Sequence, residues 1–145
     1  MINNKAQGEY AVKLAIGELA KYDIDVAFPI SDNLPFDLVA IKDGKLFKVQ
    51  IKSSTQSSED LVIFNLKRSN WWKKTSVNYT RADTDVVIAY DMIDNAFYGF
   101  TPDDFEGKTA LKVRKREVTS GQSKKCRYAK DCALNSERVE QLFPL

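Results

Sequence analysis

The 145 residues are 43% hydrophobic and 29% charged with a formal net charge of +2, a balance that suits one folded domain and excludes disordered, fibrous and disulfide-dense chains. Histidine is absent, which removes chemistry built on a histidine base, a His-Cys nucleophile pair or a His-ligated zinc. Two cysteines, Cys126 and Cys132, are too few for a four-ligand zinc site; with no stretch near the ~20 apolar residues of a membrane span and no signal-like apolar segment after Met1, the expectation is a soluble, cytoplasmic protein without membrane contact.

In chain order, Ala11, Leu14, Ala15 and Leu19 recur at helical spacing between Lys5 and Tyr22, with Val12, Ile16 and Ala20 as a second stripe, which predicts a helix covered on two sides. Val26-Ala27-Phe28 and the breaker-rich Pro29 to Pro35 follow. Two extended runs, Phe36 to Lys42 and Lys45 to Ser53, flank Asp43-Gly44, the residue pair that a two-residue hairpin turn favours. Further strands are predicted at Leu61 to Leu66, Asp85 to Met92, Ala96 to Phe100 and Ala110 to Val118, and Ser136 is placed to cap a last helix ending near Pro144. The order of helix, strands and helix predicts an α+β or mixed α/β sheet with the first helix packed on it. No repeat or linker divides residues 1–145, so a single domain is expected, with a core over about 5–100 and a basic C-terminal region over about 107–145.

Charge is segregated. Residues 61–82 hold five basic and no acidic side chains, 83–106 hold seven acidic and no basic ones, and 107–130 hold nine basic and one acidic. Basic blocks of this kind can form a polyanion surface although the net charge is small, or pair with the acidic block. In the first, Lys67, Arg68, Lys73 and Lys74 interleave with Trp71 and Trp72, a composition for phosphate contact and stacking, or for a tryptophan pair packed under a sheet. In the second, alternation at Lys112, Arg114 and Arg116 sets three cations on one strand face, able to follow a duplex backbone or simply to face solvent.

The hairpin turn fixes a constellation. With Lys42 facing Lys45, counting outward sets Asp37 opposite Gln50. Lys52, two residues on, points to the same face about 7 Å along the strand. Phe36, Leu38, Ala40, Phe47, Val49 and Ile51 occupy the other, apolar face. A carboxylate and an amide oxygen are hard ligands suited to Mg²⁺, and a neighbouring ammonium can orient water or oppose charge developing at phosphorus. An ordinary cross-strand polar pair beside a surface lysine is the plainer alternative.

Gly8-Glu9 in the first helix, Pro35-Phe36-Asp37-Leu38-Val39 at a strand start and Lys48-Val49-Gln50-Ile51-Lys52 after the hairpin resemble the PD-(D/E)XK nuclease superfamily over roughly residues 5–54. The Gln-x-Lys branch, which includes group I intron homing endonucleases, is the most similar. The resemblance implies a restriction-endonuclease-like mixed sheet flanked by helices and a Mg²⁺-dependent DNA endonuclease, with Mn²⁺ as a possible substitute. It implies that Asp37, Gln50, the Ile51 carbonyl and Glu9 bind metal, and that Lys52 positions or activates the attacking water. Phe36 separates Pro35 from Asp37, and Gln50 stands where an acid is usual, which removes one negative charge from the metal site. Site-specific double-strand cleavage by a homodimer or homotetramer on double-stranded DNA is the leading expectation. The rivals are a structure-selective Holliday junction resolvase-like nuclease and a catalytically inactive DNA-binding module.

Overall fold

A computed structural model describes residues 3–70, 75–117 and 127–145. Helix α1 spans Asn4–Ala20. Asn3 caps it by accepting the Ala6 N–H at 2.8 Å, which satisfies one of the amides left over at a helix start. Its buried face is Ala11, Ala15 and Leu19, and the two alanines let the helix lie close to a sheet. The chain leaves through Asp23, at φ 57°, while the Ile24 N–H returns to the Leu19 carbonyl at 3.2 Å, a left-handed helix ending.

The central sheet has five strands in the order β1 (Asp25–Ala27), β2 (Leu38–Lys42), β3 (Lys45–Ser54), β7 (Val86–Asp91) and β8 (Ala96–Phe100). Asp43 and Gly44 have φ of 52° and 77°, the two positive values a type I′ turn requires. Lys42 pairs with Lys45 and Leu38 with Val49, the register counted from the sequence. Strand β3 runs parallel to β7 and every other pairing in this sheet is antiparallel.

A second sheet stacks β10 (Arg127–Tyr128), β9 (Ala110–Arg114) and β4 (Leu61–Asn65), with β10 parallel to β9 and β9 antiparallel to β4. Strands β5 (Arg68–Asn70) and β6 (Thr75–Val77) form a separate hairpin. Short helices α2 (Pro102–Phe105) and α3 (Ala129–Cys132) follow β8 and β10, and α4 spans Ser136–Leu142. The cap of α4 is Asn135, whose side chain accepts the Arg138 N–H at 2.7 Å, and not Ser136 as its hydroxyl suggested.

Two apolar cores lie on opposite faces of the central sheet. Leu38, Val49, Ile51, Val86 and Ile88 pack with α1 residues and with Val139, Leu142 and Phe143. Val87, Ala89, Tyr98 and Phe100 pack with Phe64, Leu66, Leu111 and Val113 of the second sheet region. All six residues of β7 are therefore buried, as expected for a strand covered on both faces. Phe36, assigned to the first core from its alternation, is only half-buried, because β2 begins after it at Leu38. The architecture is a mixed α+β fold of two mixed sheets flanked by helices.

Candidate active site

The site forms where β2 begins and β3 passes under it. The regular ladder ends at Leu38 and Val49, so Asp37 is not paired opposite Gln50 as the count from the turn implied. Instead the Asp37 N–H bonds the Val49 carbonyl at 2.9 Å, and Asp37 Oδ2 accepts the Ile51 N–H at 2.8 Å. A short acidic side chain competes well for a nearby backbone amide at a strand start, and here it takes over from the ladder.

Gln50 is buried, and its Nε2 donates to the Ile51 carbonyl at 3.2 Å. Both main-chain polar groups of Ile51 are thus held, its N–H by the Asp37 carboxylate and its C=O by the Gln50 amide. Gln50 and Lys52 lie in register with Val87 and Ala89, which places both on the second-core face of the central sheet. Lys52 Nζ lies 5.0 Å from the centre of the Tyr79 ring, and Tyr79 is itself buried. Sequence reading had no role for Tyr79; the stacking is set by tertiary packing, and no local pattern marks it.

Electrostatics follow from burial. Loss of solvent raises the Asp37 pKa, and the Ile51 N–H and the Lys52 charge offset that only in part. Loss of solvent lowers the Lys52 pKa, opposed by the Asp37 charge. Each group thus feels the other, yet among the described residues they form no ion pair. A half-buried carboxylate that meets no cation at contact distance among the described residues, beside an amide and a peptide carbonyl, is an oxygen-rich donor set that fits a hard divalent cation.

Glu9 is an exposed residue of α1, outside the contacts that tie Asp37, Gln50 and Ile51 together. Among the described residues, no group of three or more His, Cys, Asp or Glu side chains could hold a metal ion. Any cation here would therefore rely on the amide and carbonyl oxygens as well as carboxylate. Of the other carboxylates, Asp85 accepts the Lys48 N–H at 2.8 Å and Asp83 accepts the Thr80 N–H at 2.9 Å.

Those of the expected DNA contacts that lie among the described residues come from several elements. Lys67 is exposed beside the site, and Arg68 opens β5. Trp71, Trp72, Lys73 and Lys74 lie outside the described residues. Lys112 and Arg114 share a face of β9, but the strand ends at Arg114. Arg116 departs from the expected stripe because its guanidinium pairs with Glu59 at 3.0 Å and with Asp60 at 3.8 Å.

A family model described as "PD-(D/E)XK endonuclease" matches residues 2–134. The chain belongs to this endonuclease family. Among solved structures it is similar to a bacterial homing endonuclease, I-Ssp6803I, with a TM-score of 0.66, 29% sequence identity and 83% of each chain covered. No curated protein matches it. Asp37, Gln50 and Lys52, which were among the residues of the resemblance in sequence, lie where β2 begins beside β3. No helix among the described residues is long and apolar enough to cross a membrane.

Proposed function

We propose that this PD-(D/E)XK endonuclease is a Mg²⁺-dependent, site-specific enzyme that hydrolyses phosphodiester bonds in double-stranded DNA in the cytoplasm, with Mn²⁺ able to replace Mg²⁺. The observation that carries the reading is the grip of Asp37 and Gln50 on the Ile51 main chain with Lys52 on the next outward position of the same strand face. Asp37, the Gln50 amide oxygen and the Ile51 carbonyl would hold the cation, with Glu9 contributing from α1. Bound there, the cation supplies positive charge against the phosphoryl oxygens and acidifies water.

The chain's own groups do the rest. Lys52, with its proton affinity reduced by burial, is suited to hold and move a proton at the attacking water, and in its charged form opposes the negative charge growing at phosphorus. Water oxygen bonds to phosphorus, one P–O ester bond breaks, and the departing oxygen leaves with a proton. The Tyr79 ring beneath Lys52 limits where its ammonium can go, because a cation is held over an aromatic face.

The test exposes supercoiled plasmid, a linear fragment library and a four-way junction to the protein with Mg²⁺ and with EDTA. Wild type is expected to give discrete, metal-dependent fragments, and Asp37→Ala or Lys52→Ala to lower the rate at least ~10²-fold, the order lost when a key transition-state group is removed. Full activity in either variant would refute the assignment. Cutting confined to the junction would replace site-specific cleavage with a structure-selective role, and salt-sensitive binding without cutting would replace it with a binding module.

A further inference from the structure

Helix α1 contains two glycines, and glycine is a poor residue for a helix interior because it forfeits more backbone freedom than alanine. Space explains neither. A Cβ built at Gly8 or at Gly17 meets nothing within 4 Å, so alanine fits at both and the helix would gain from it.

The two positions differ in what lies around them. Gly8 is on the helix face that carries Asn4 one turn before it and Ala11 and Ala15 after it. Ala11 and Ala15 are buried at 1% and 0% exposure, so this face is pressed on the sheet along most of its length. At Gly8 it lifts clear and opens on a cavity of about 720 Å³ between α1 and the ends of β3 and β4. Gly17 does not line that cavity.

The cavity is polar and free of carboxylates among its lining residues. Asn4, Gln7, Gln56 and Asn65 bring four carboxamides to it, and Lys52 and Lys67 bring two ammonium groups. Gln7 is fixed by donating to Ser53 Oγ at 3.0 Å. Cations on a wall that itself holds no acid suit a phosphodiester chain, carboxamides suit base edges and sugar oxygens, and the volume is in the range of a small-ligand site. Lys52 belongs both to this wall and to the proposed reaction centre, so a strand lying in the cavity runs directly from the bond to be cut.

We propose that the cavity seats the nucleotide next to the scissile phosphate, and that Gly8 lacks a side chain so that the sugar-phosphate backbone can come against α1. The assignment rests on the nuclease reading and extends it to a residue outside the metal and proton-transfer groups.

Gly8→Ala, Gly8→Leu and Gly17→Ala are compared by thermal melting, by binding to a fluorescent random-sequence duplex at low salt in EDTA, and by single-turnover cleavage of the substrate that wild type cuts in Mg²⁺. All three variants are expected to melt at or above the wild-type temperature. Cleavage is expected to fall about 10-fold in Gly8→Ala and at least ~100-fold in Gly8→Leu, as displacement of a bound strand by an ångström or more implies, with weaker duplex binding in both. Gly17→Ala should bind and cut as wild type does. A folded Gly8→Leu that cuts within about twofold of wild type would overturn the proposal while leaving the nuclease reading standing, twofold being well inside the loss a misplaced strand implies. A fall in melting temperature for Gly8→Ala alone would overturn it too, by making Gly8 a structural requirement. Wild type that neither binds nor cuts DNA would refute the nuclease reading, and this inference with it.

Discussion

Asp37 and Lys52 are ionisable groups in a place poor in water, and charging either one there costs the fold free energy. The Asp37 pKa is raised on folding, so its contribution favours the folded state as pH falls below the unfolded value and turns unfavourable as pH rises through the folded one. The Lys52 pKa is lowered, so its contribution is absent above the unfolded value and grows unfavourable as pH falls through the folded one. Where both are charged, both penalties are present together. Asp37→Asn keeps an oxygen for the Ile51 N–H, and Lys52→Met keeps the apolar stem, so each removes the charge while sparing the packing. Each variant is expected to melt unchanged or about 1–4 °C higher at pH 7, as removal of strained active-site charges commonly does, with cleavage lost. A clear fall in melting temperature in both would mark the pair as a structural element. Asp37, Gln50 and Lys52 were legible as neighbours because a two-residue turn dictates register by counting alone. The end of the ladder at Asp37, the amide of Gln50 folded onto Ile51, the Tyr79 ring and the cavity at Gly8 were not legible. They depend on which distant segments pack together, and no spacing along the chain records that.

At the scale of elements, the long periodic segments were readable and the short ones were not. Strands of two or three residues such as β5, β6 and β10 hold at most one and a half alternations, and α2 and α3 hold about one turn each, so neither period has room to repeat. The Thr101 to Asp104 spacing did carry a helix-start signal, realised as the Thr101 N–H donating to Asp104 Oδ2 at 3.0 Å. The charge blocks also have partners that composition could not name. Lys115, just past β9, reaches Asp94 at 2.6 Å and Asp91 at 3.1 Å at the turn between β7 and β8, which ties the second sheet to the first. Burial raises the Asp91 pKa, but the Ser57 hydroxyl, the Asp94 and Ile93 amides and Lys115 outweigh it and hold it low. Burial likewise lowers that of Lys115, and Asp94 and Asp91 outweigh it and hold it high. A carboxyl depressed on folding stabilises the protein above its unfolded pKa, and the gain is lost as pH falls through the folded value. Lys115→Met is therefore expected to cost about 2–4 kcal/mol in urea unfolding at pH 7, in the range for removing one partner of a buried pair. That cost should shrink below about pH 4, where the unfolded carboxyl is protonated. A cost independent of pH would assign the role of Lys115 to its hydrogen bonds to the Ser57 hydroxyl and the Ser58 carbonyl, and not to the two carboxylates.

At the scale of the whole molecule, the constraint is the symmetry of the substrate. Each chain carries one Asp37–Gln50–Lys52 constellation, whereas a duplex presents two phosphodiester chains of opposite direction. A single site must release and turn over to cut the second strand. Two copies related by a twofold axis present two sites to the two strands at once, and isologous pairing of this kind is the commonest assembly of soluble chains. Apolar side chains are left in the open between β1 and β2, Phe28 at 56% exposure and Ile30 at 107%. A homodimer or homotetramer is expected in sedimentation at micromolar concentration. Mixing wild-type and Lys52→Ala chains tests the division of labour directly, because a mixed pair has one working site. Nicked circles should accumulate and persist in proportion to the mixed species, while wild type alone passes to linear product with little nicked intermediate. A monomer that linearises plasmid at the same rate whether or not Lys52→Ala is present would show one site cutting both strands in turn, and would remove the need for a partner.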